Sequence, residues 1–259
     1  MDFEKSAKVA SRLESVASTE STNTDLISAA TGQAADWPDF SVLVTAEQTA
    51  GRGRSGREWQ APAGSSLFVS VLLRPTGVAA TQFSWLPLIA GLAMSNAISG
   101  FAGSKRAMVK WPNDVLIADK KVCGVLSELL GDLSGVVVGA GVNVFQNQEQ
   151  LPVPTATSLA IESIDVGSLD ELLAAFLTNL KRNYEEFVAL AGELGGSELH
   201  SALNSACSSI GRDVRVVLPG DTEFVGRAIE IDSLGRLVVQ NETETRAVSV
   251  GDIVHLRHN

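Results

Sequence analysis

Residues 110–144 read KWPNDVLIADKKVCGVLSELLGDLSGVVVGAGVNV, and the fold class follows from how that stretch is punctuated. Asp114–Ala118 and Lys121–Leu130 are two apolar, β-rich runs separated only by Asp119-Lys120, so a tight turn must join two antiparallel strands. Gly135–Val144 is a third run of strand length with a glycine bend inside it. Its Gly139-Ala140-Gly141 supplies two glycines of a dinucleotide-binding turn, but Val144 stands where the third glycine belongs and no helical pattern follows. A glycine-lined wall beside a small ligand fits better than a Rossmann crossover.

Toward the N-terminus, Ala107–Lys110 leads into the KWPND segment, and an apolar stretch from Phe83 to Phe101 precedes it. That stretch contains Pro87, three serines and Asn96, so it reads as a helix over about residues 83–100 buried in a globular core, not as a membrane span. Ser66–Leu73 (SLFVSVLL) and Ser41–Ala46 (SVLVTA) are buried strands, the latter running into an arginine- and glycine-rich loop, Gln48–Trp59. Residues 6–30 read as a short lead-in and then a helix, with Thr22, Asn23 and Thr24 as candidate caps.

Toward the C-terminus, Gln146–Thr157 is a proline-dotted loop. Ser168–Ala191 places Leu169, Leu172, Leu173, Phe176, Leu177, Leu180, Tyr184 and Phe187 at helical spacing. Gly195-Gly196 breaks that helix, and Ser197–Cys207 reads as one more. The last fifty residues alternate as short strands, Val214–Leu218, Glu223–Ile231, Arg236–Gln240 and Arg246–Val250, with turns at Pro219-Gly220-Asp221 and Asp232–Gly235. The expected class is α+β: a mixed sheet with flanking helices over residues 1–207, followed by a small SH3-like β-barrel over residues 208–259.

Hydrophobic residues make up 45 % of the 259 and charged residues 19 %, which is core-forming composition, not that of a disordered chain. The formal net charge of −10 argues against nucleic acid as a partner, because lysine and arginine supply most of the affinity for phosphodiesters. The N-terminal residues mix charges of both signs without an apolar core, so no secretion signal is expected. Cys123 and Cys207 have no zinc spacing and read as free thiols of a cytoplasmic protein. His200, His255 and His258 match no metal or triad spacing.

Against this acidic background the basic residues gather in one place. Gly51-Arg52-Gly53-Arg54-Ser55-Gly56-Arg57 holds three arginines and three glycines in seven residues. Glycine lets backbone approach a ligand, and guanidinium forks suit carboxylate or phosphate, so the loop is expected to close on an anion and to be mobile when empty. A phosphate-binding Walker loop fails because Arg57-Glu58 stands where Lys-Ser/Thr belongs. A solvated charged turn is the plainer alternative. In Lys110-Trp111-Pro112-Asn113-Asp114, the side chains of Asn113 and Asp114 could orient a magnesium–phosphate group or simply make a turn. Lys121 opens an apolar strand, where it either meets an anion or snorkels to water, and Gly124 lets a ligand approach that strand's backbone.

Taken in order, Ser21-Thr22-Asn23, Gln48 with GRGRSGREW (residues 51–59), KWPND (110–114), KVCG (121–124) and GAGVN (139–143) resemble the biotin–protein ligase family. The resemblance is strong over about residues 15–145 and extends through the β-barrel pattern. It implies a biotin/lipoate-ligase-like catalytic fold that activates biotin with ATP and passes it to a lysine of a biotin carboxyl carrier protein. By resemblance, Ser21, Thr22, Asn23 and Gln48 line the biotin site, with Gly51, Gly124 and Gly141 beside them. Arg52, Gly53 and Arg54 close over the biotin carboxylate and α-phosphate. Lys121 stands between carboxylate and phosphate, and Lys121 with Arg54 carries the catalysis. Arg57, Trp59, Lys110, Asn113 and Asn143 belong to the ATP side, and Mg²⁺ accompanies ATP near Asn113 and Asp114. Family members often pair as homodimers through a sheet edge. Some carry an N-terminal winged-helix DNA-binding domain, which the twenty residues before Ser21 are too few to form, so an operator-binding role is not expected. The nearest rival is a lipoate–protein ligase, which runs the same adenylation. A non-catalytic biotin sensor and an RNA-binding protein using the arginine-glycine loop are rivals of other kinds.

Overall fold

Ala118 and Asp119 both have positive φ, 47° and 63°, so the first hairpin of the 110–144 stretch closes through a two-residue turn whose twist matches its strands. The turn falls one residue earlier than the spacing suggested, and the second strand starts at Lys120. The computed structural model describes residues 2–218, 220 and 222–256. In chain order, a short helix α1 (Glu4–Ala7) precedes strand β1 (Arg12–Ser15), helix α2 (Thr22–Gly32) and strand β2 (Ser41–Thr45). A two-strand hairpin β3 (Gly51–Arg52) and β4 (Glu58–Trp59) follows, then β5 (Ser66–Leu73) and helix α3 (Leu86–Phe101). Strands β6 (Ala107–Lys110), β7 (Asp114–Ile117), β8 (Lys120–Leu129) and β9 (Val136–Asn143) run on from it, then helices α4 (Leu169–Ala189) and α5 (Glu198–Ala206). The chain closes with β10 (Asp213–Leu218), β11 (Thr222–Ile231), β12 (Leu237–Gln240), β13 (Thr245–Val248) and β14 (Asp252–His255).

Seven strands form one sheet in the order β1-β2-β5-β9-β8-β7-β6, antiparallel except for the parallel β1–β2 pair. Both faces are covered, and strand alternation sorts the side chains between them. On β5, Leu67, Val69, Val71 and Leu73 face the main core under α3 and α4, whereas Leu72 packs beneath α2. On β9, Val136, Val138, Ala140 and Val142 face that main core and Val137 faces α2. Along the α2 face the strands then switch from apolar residues to Gly139 and Gly141, and the functional site begins there. Helix α4 starts at Ser168, whose side chain accepts from the Glu171 N–H, and buries the leucine–phenylalanine stripe seen in the sequence.

The second sheet, of order β13-β12-β11-β10-β14, is antiparallel and bulged between Ala228 and Glu230. The protein is thus α+β, a mixed sheet with flanking helices followed by an SH3-like five-stranded sheet. Strands β1 and β14, and the short pair β3–β4 within the arginine-glycine loop, were not anticipated. Arg12-Leu13-Glu14-Ser15 carries one apolar residue, so its strand state comes from backbone pairing with β2 and leaves no pattern to read. The expected turn at Pro219-Gly220-Asp221 lies outside the described residues at Pro219 and Asp221, as does His258.

The two sheets are fastened to each other by polar bonds. Trp111 Nε1 donates to Gly235 O at 3.1 Å and the Ser208 N–H to Val109 O at 2.7 Å; within the terminal part, beside this junction, Ser209 Oγ lies 2.9 Å from His255 Nε2. Burial pushes the His255 pKa down to about 4, with the charges of Lys110 and Arg212 acting in the same direction and Asp119 opposing. The folded state therefore holds His255 neutral, while the unfolded chain binds a proton there below about pH 6.5. Stability contributed by the neutral ring is complete above that pH and is lost as pH falls toward 4. Urea unfolding at pH 7 and pH 5 should show the wild type losing about 1–2 kcal/mol more than His255→Gln; equal losses would show that His255 is not the titrating group.

Candidate active site

The buried polar residues of the α2 face interlock at the start of α2. Gln48 Oε1 accepts from the Thr22 N–H at 2.8 Å and from Thr22 Oγ at 3.0 Å. Ser70 Oγ, on β5, lies 2.7 Å from Thr22 Oγ and 2.6 Å from Asn23 Oδ1. Asn23 Nδ2 donates to Leu126 O at 3.1 Å and to Glu128 at 2.9 Å. Ser21, Thr22 and Asn23 are all buried, so unpaired polar atoms here would be costly, and the network answers that demand.

Beside the network the sheet has a floor without side chains. Gly124 and Gly141 are directly paired across β8 and β9, and Gly139 pairs with Leu126 one step on. The Trp59 indole lies on Gly124 and Gly141: a methyl group on Gly124 would approach its ring to 2.6 Å, and one on Gly141 to 3.1 Å. A methyl group on Gly139 would collide with Asn23 Oδ1. These glycines serve close approach, not backbone turning.

Cations form the opposite wall. The arginine-glycine loop is a small hairpin, β3 against β4, with Arg54–Gly56 as a tight 3₁₀ turn at its tip and Ser55 at φ 55°. Arg52 pairs with Glu128 at 3.0 Å, and Arg57 with Asp252 of β14 at 2.6 Å. Arg54 donates to Asn113 Oδ1 at 3.0 Å and lies 3.7 Å from Asp252. Lys121 Nζ meets Asp114 at 2.7 Å and sits 5.2 Å from the Trp59 ring centroid. Lys110 lines the same cleft, its pKa held below the usual lysine value by burial first and by the charge of Lys121, with Asp114 and Asp252 opposing. Together these walls enclose a cleft of about 460 Å³, with Asp252 and Ile253 of β14 at its rim. That is the size of a small-molecule site, polar at one end and cationic at the other.

The sequence pattern described as the biotin/lipoate A/B protein ligase family matches residues 15–143, and that of the biotin protein ligase C terminal domain matches residues 209–256. Over 248 residues the chain is 37 % identical to the biotin–[acetyl-CoA-carboxylase] ligase of Mycobacterium tuberculosis, covering 95 % of this chain and 90 % of that one. The chain belongs to the biotin protein ligase family. A relative of the same designation from Paracoccus denitrificans is 30 % identical over 247 residues, covering 92 % of this chain and 98 % of its own. Among solved structures, the biotin protein ligase from Aquifex aeolicus in complex with biotin and ATP superposes with a TM-score of 0.78 at 27 % identity, over 96 % of this chain and all of that one.

Most residues that the resemblance assigned to a biotin protein ligase site do converge. Ser21, Thr22, Asn23 and Gln48 line one end of the cleft. Gly124 and Gly141 floor it, under Trp59. Arg52, Gly53, Arg54 and Arg57 cover it, and Lys110, Asn113, Asp114 and Lys121 close the far end. Two do not reach it. Asn143, the last residue of β9, is buried and donates to Thr157 O at 3.0 Å and accepts from Gln146 at 3.2 Å, so its side chain holds a loop and does not line the cleft. Gly51 lies at the hairpin base, where its backbone passes too close to Trp59 O for any side chain. The expected magnesium site also does not fit. Asn113 Oδ1 and Asp114 Oδ1 already face Arg54 and Lys121, and a further cation there would meet two positive charges. No group of three His, Cys, Asp or Glu residues is placed to hold a metal among the described residues.

Sequence reasoning missed Ser70, Glu128 and Asp252. Ser70 and Glu128 sit at alternate positions of strands read only as apolar, and period-two alternation is the signal that would have placed them on the site face. Asp252 has no local signal, because only the packing of the second sheet brings it to the loop. Cys123, one residue from Gly124, is fully buried with its pKa pushed up to about 12, and acts as packing, not as a nucleophile.

Gly139→Ala should displace Asn23 and lower unfolding free energy by about 1–3 kcal/mol. Gly100→Ala, in α3 with open space around it, should be neutral or slightly stabilising, by up to about 1 kcal/mol. Equal effects in urea titrations would contradict the tight packing of Asn23 on Gly139.

Proposed function

We propose that this chain activates biotin with ATP to biotinyl-5′-AMP and transfers the biotin to a lysine of a carboxylase's biotin carboxyl carrier protein. One cleft with opposed halves carries the reading. A buried amide–hydroxyl network suits a neutral polar ring, and a cluster of cations suits two anions brought together. Biotin would place its ureido ring against Thr22, Asn23 and Gln48 and its carboxylate toward Lys121. Arg54, Arg57 and Lys110 would take the ATP phosphates. Mg²⁺ enters as the counter-ion that arrives with ATP, and no residue is assigned to hold it.

In the first step a biotin carboxylate oxygen attacks the α-phosphorus and pyrophosphate leaves. Both reactants are anions, so the protein's main work is to offset their repulsion and align them. Lys121 and Arg54 do this by exchanging their protein partners, Asp114 and Asn113, for substrate oxygens. The mixed anhydride that results is destroyed by water, which the Arg52–Trp59 hairpin excludes. In the second step the neutral amine of the carrier lysine attacks the acyl carbon, the bond to AMP breaks, and the amine's extra proton passes to solvent. No covalent link to the enzyme is needed, consistent with a buried Cys123. The division into a catalytic part, residues 1–207, and a terminal part, residues 208–259, is part of the same reading, with Asp252 as the terminal part's contribution to the cleft. The two free, buried thiols suit a cytoplasmic setting, and no described helix is long and apolar enough to cross a membrane.

Biotin-dependent exchange of labelled pyrophosphate into ATP should be seen with the wild type, and lipoate in excess should not suppress it. Lys121→Ala should reduce that exchange by about 10²–10³-fold with the fold intact. Arg54→Gly should release biotinyl-AMP into solution faster than it slows its synthesis. Near-normal exchange in Lys121→Ala removes Lys121 from the mechanism. Tight binding of biotin without any exchange would favour a sensor instead.

A further inference from the structure

Glu128 is a single carboxylate placed between two parts of the cleft that the sequence keeps far apart. It stands on the α2 face of β8, two residues beyond Leu126 and four beyond Gly124, and its side chain is largely shielded from solvent. One oxygen accepts from Asn23 Nδ2 at 2.9 Å, and the other pairs with Arg52 of the hairpin at 3.0 Å. Arg52 has one other polar contact among the described residues, with Thr24 Oγ at the outer limit of 3.5 Å.

The first contact fixes a chemical polarity. A carboxylate only accepts hydrogen bonds, and so does the Leu126 carbonyl on the same side of Asn23. Asn23 must therefore turn its NH₂ toward β8 and its Oδ1 toward Ser70 and the backbone of Gly139, which lines the cleft. An amide without such a neighbour can flip and present a donor instead. The second contact acts on the lid: Arg52 opens the hairpin that covers the cleft, and Glu128 is its anchor on the sheet.

We propose that Glu128 is a positioning residue for biotin, holding Asn23 as a hydrogen-bond acceptor for a ureido N–H and bolting the hairpin shut through Arg52. This rests on the biotin-ligase reading. It also separates two functions of one cleft, since Glu128 touches the ureido end and the lid but none of Arg54, Arg57, Lys110 or Lys121.

Glu128→Gln keeps the shape, removes the charge that holds Arg52 and weakens the polarity rule, because a Gln amide can turn a donor toward Asn23 while the Leu126 carbonyl still accepts. Biotin titrated calorimetrically without ATP should bind about tenfold more weakly, and the biotin KM in pyrophosphate exchange should rise in step, with kcat and the ATP KM within about twofold of wild type. Biotinyl-AMP should leak faster. Glu128→Gln combined with Arg52→Gln should leak no faster than Arg52→Gln alone, because both break the same bolt. Unchanged biotin affinity and leakage in Glu128→Gln would overturn the proposal. So would equal rises in both KM values with a lowered urea midpoint, the mark of a general structural role. Wild type that binds biotin but shows no exchange would instead defeat the ligase reading, while the calorimetric comparison still decides the role of Glu128. Wild type that binds no biotin defeats both.

Discussion

Five cations, Arg52, Arg54, Arg57, Lys110 and Lys121, face one cleft of about 460 Å³. Two such charges about 6 Å apart repel by roughly 3 kcal/mol in the partly shielded environment of a protein surface, so five cannot be gathered there without opposing partners, and Lys110 meets part of the cost through a lowered pKa. The protein matches the other four from four separate places. Glu128 of β8 takes Arg52, the Asn113 amide oxygen takes Arg54, Asp114 of β7 takes Lys121, and Asp252 of β14 takes Arg57. Much of the architecture follows from that need: the hairpin lies over the sheet because its arginines reach carboxylates on both sides, and the second sheet docks with β14 against the loop. Its burial of Trp85 and the Trp111–Gly235 hydrogen bond hold that arrangement in place.

The matching also prepares the chemistry. A cation paired with a protein carboxylate is oriented before the substrate arrives, so binding an anion exchanges one partner for another. These pairs are partly open to solvent, with Lys121 and Asp114 about one-third and one-fifth exposed. Exposed pairs contribute little to stability, on the order of 0–1 kcal/mol each, so breaking them for a substrate costs little. The apolar core under α3 and α4 is what keeps the sheet rigid while this exchange happens.

The same alternation that builds the core makes room for the ligand. Along β8 and β9 one set of positions is Val, Ala and Cys facing the main core, and the other includes Gly124, Gly139 and Gly141. Because the glycines are neighbours across the ladder, their missing side chains add up to one trough. Asn23 and Trp59 rest in it, and among the described residues the buried Trp59 indole N–H has no hydrogen-bond partner. A polar group of a bound ligand would be the natural acceptor for it.

The sequence by itself determined the α+β class, the main helices and most strands, because periodicity and turn chemistry are local. Ser66–Leu73 was legible to the residue, and the Ser168-capped helix nearly so. It also determined which residue types would do the chemistry, since GRGRSGREW, KWPND and the paired glycines carry their properties wherever they are folded. Tertiary structure alone decided which of them meet. It turned Asn143 into a loop anchor, set Gly51 at the base of the hairpin, and gave the oxygens of Asn113 and Asp114 to Arg54 and Lys121. It brought in Ser70, Glu128 and Asp252, and made strands of Arg12–Ser15 and Asp252–His255 through pairing partners far along the chain. The physical reason is that an ion pair or a strand edge is a relation between two distant segments, and neither segment alone records where the other will be.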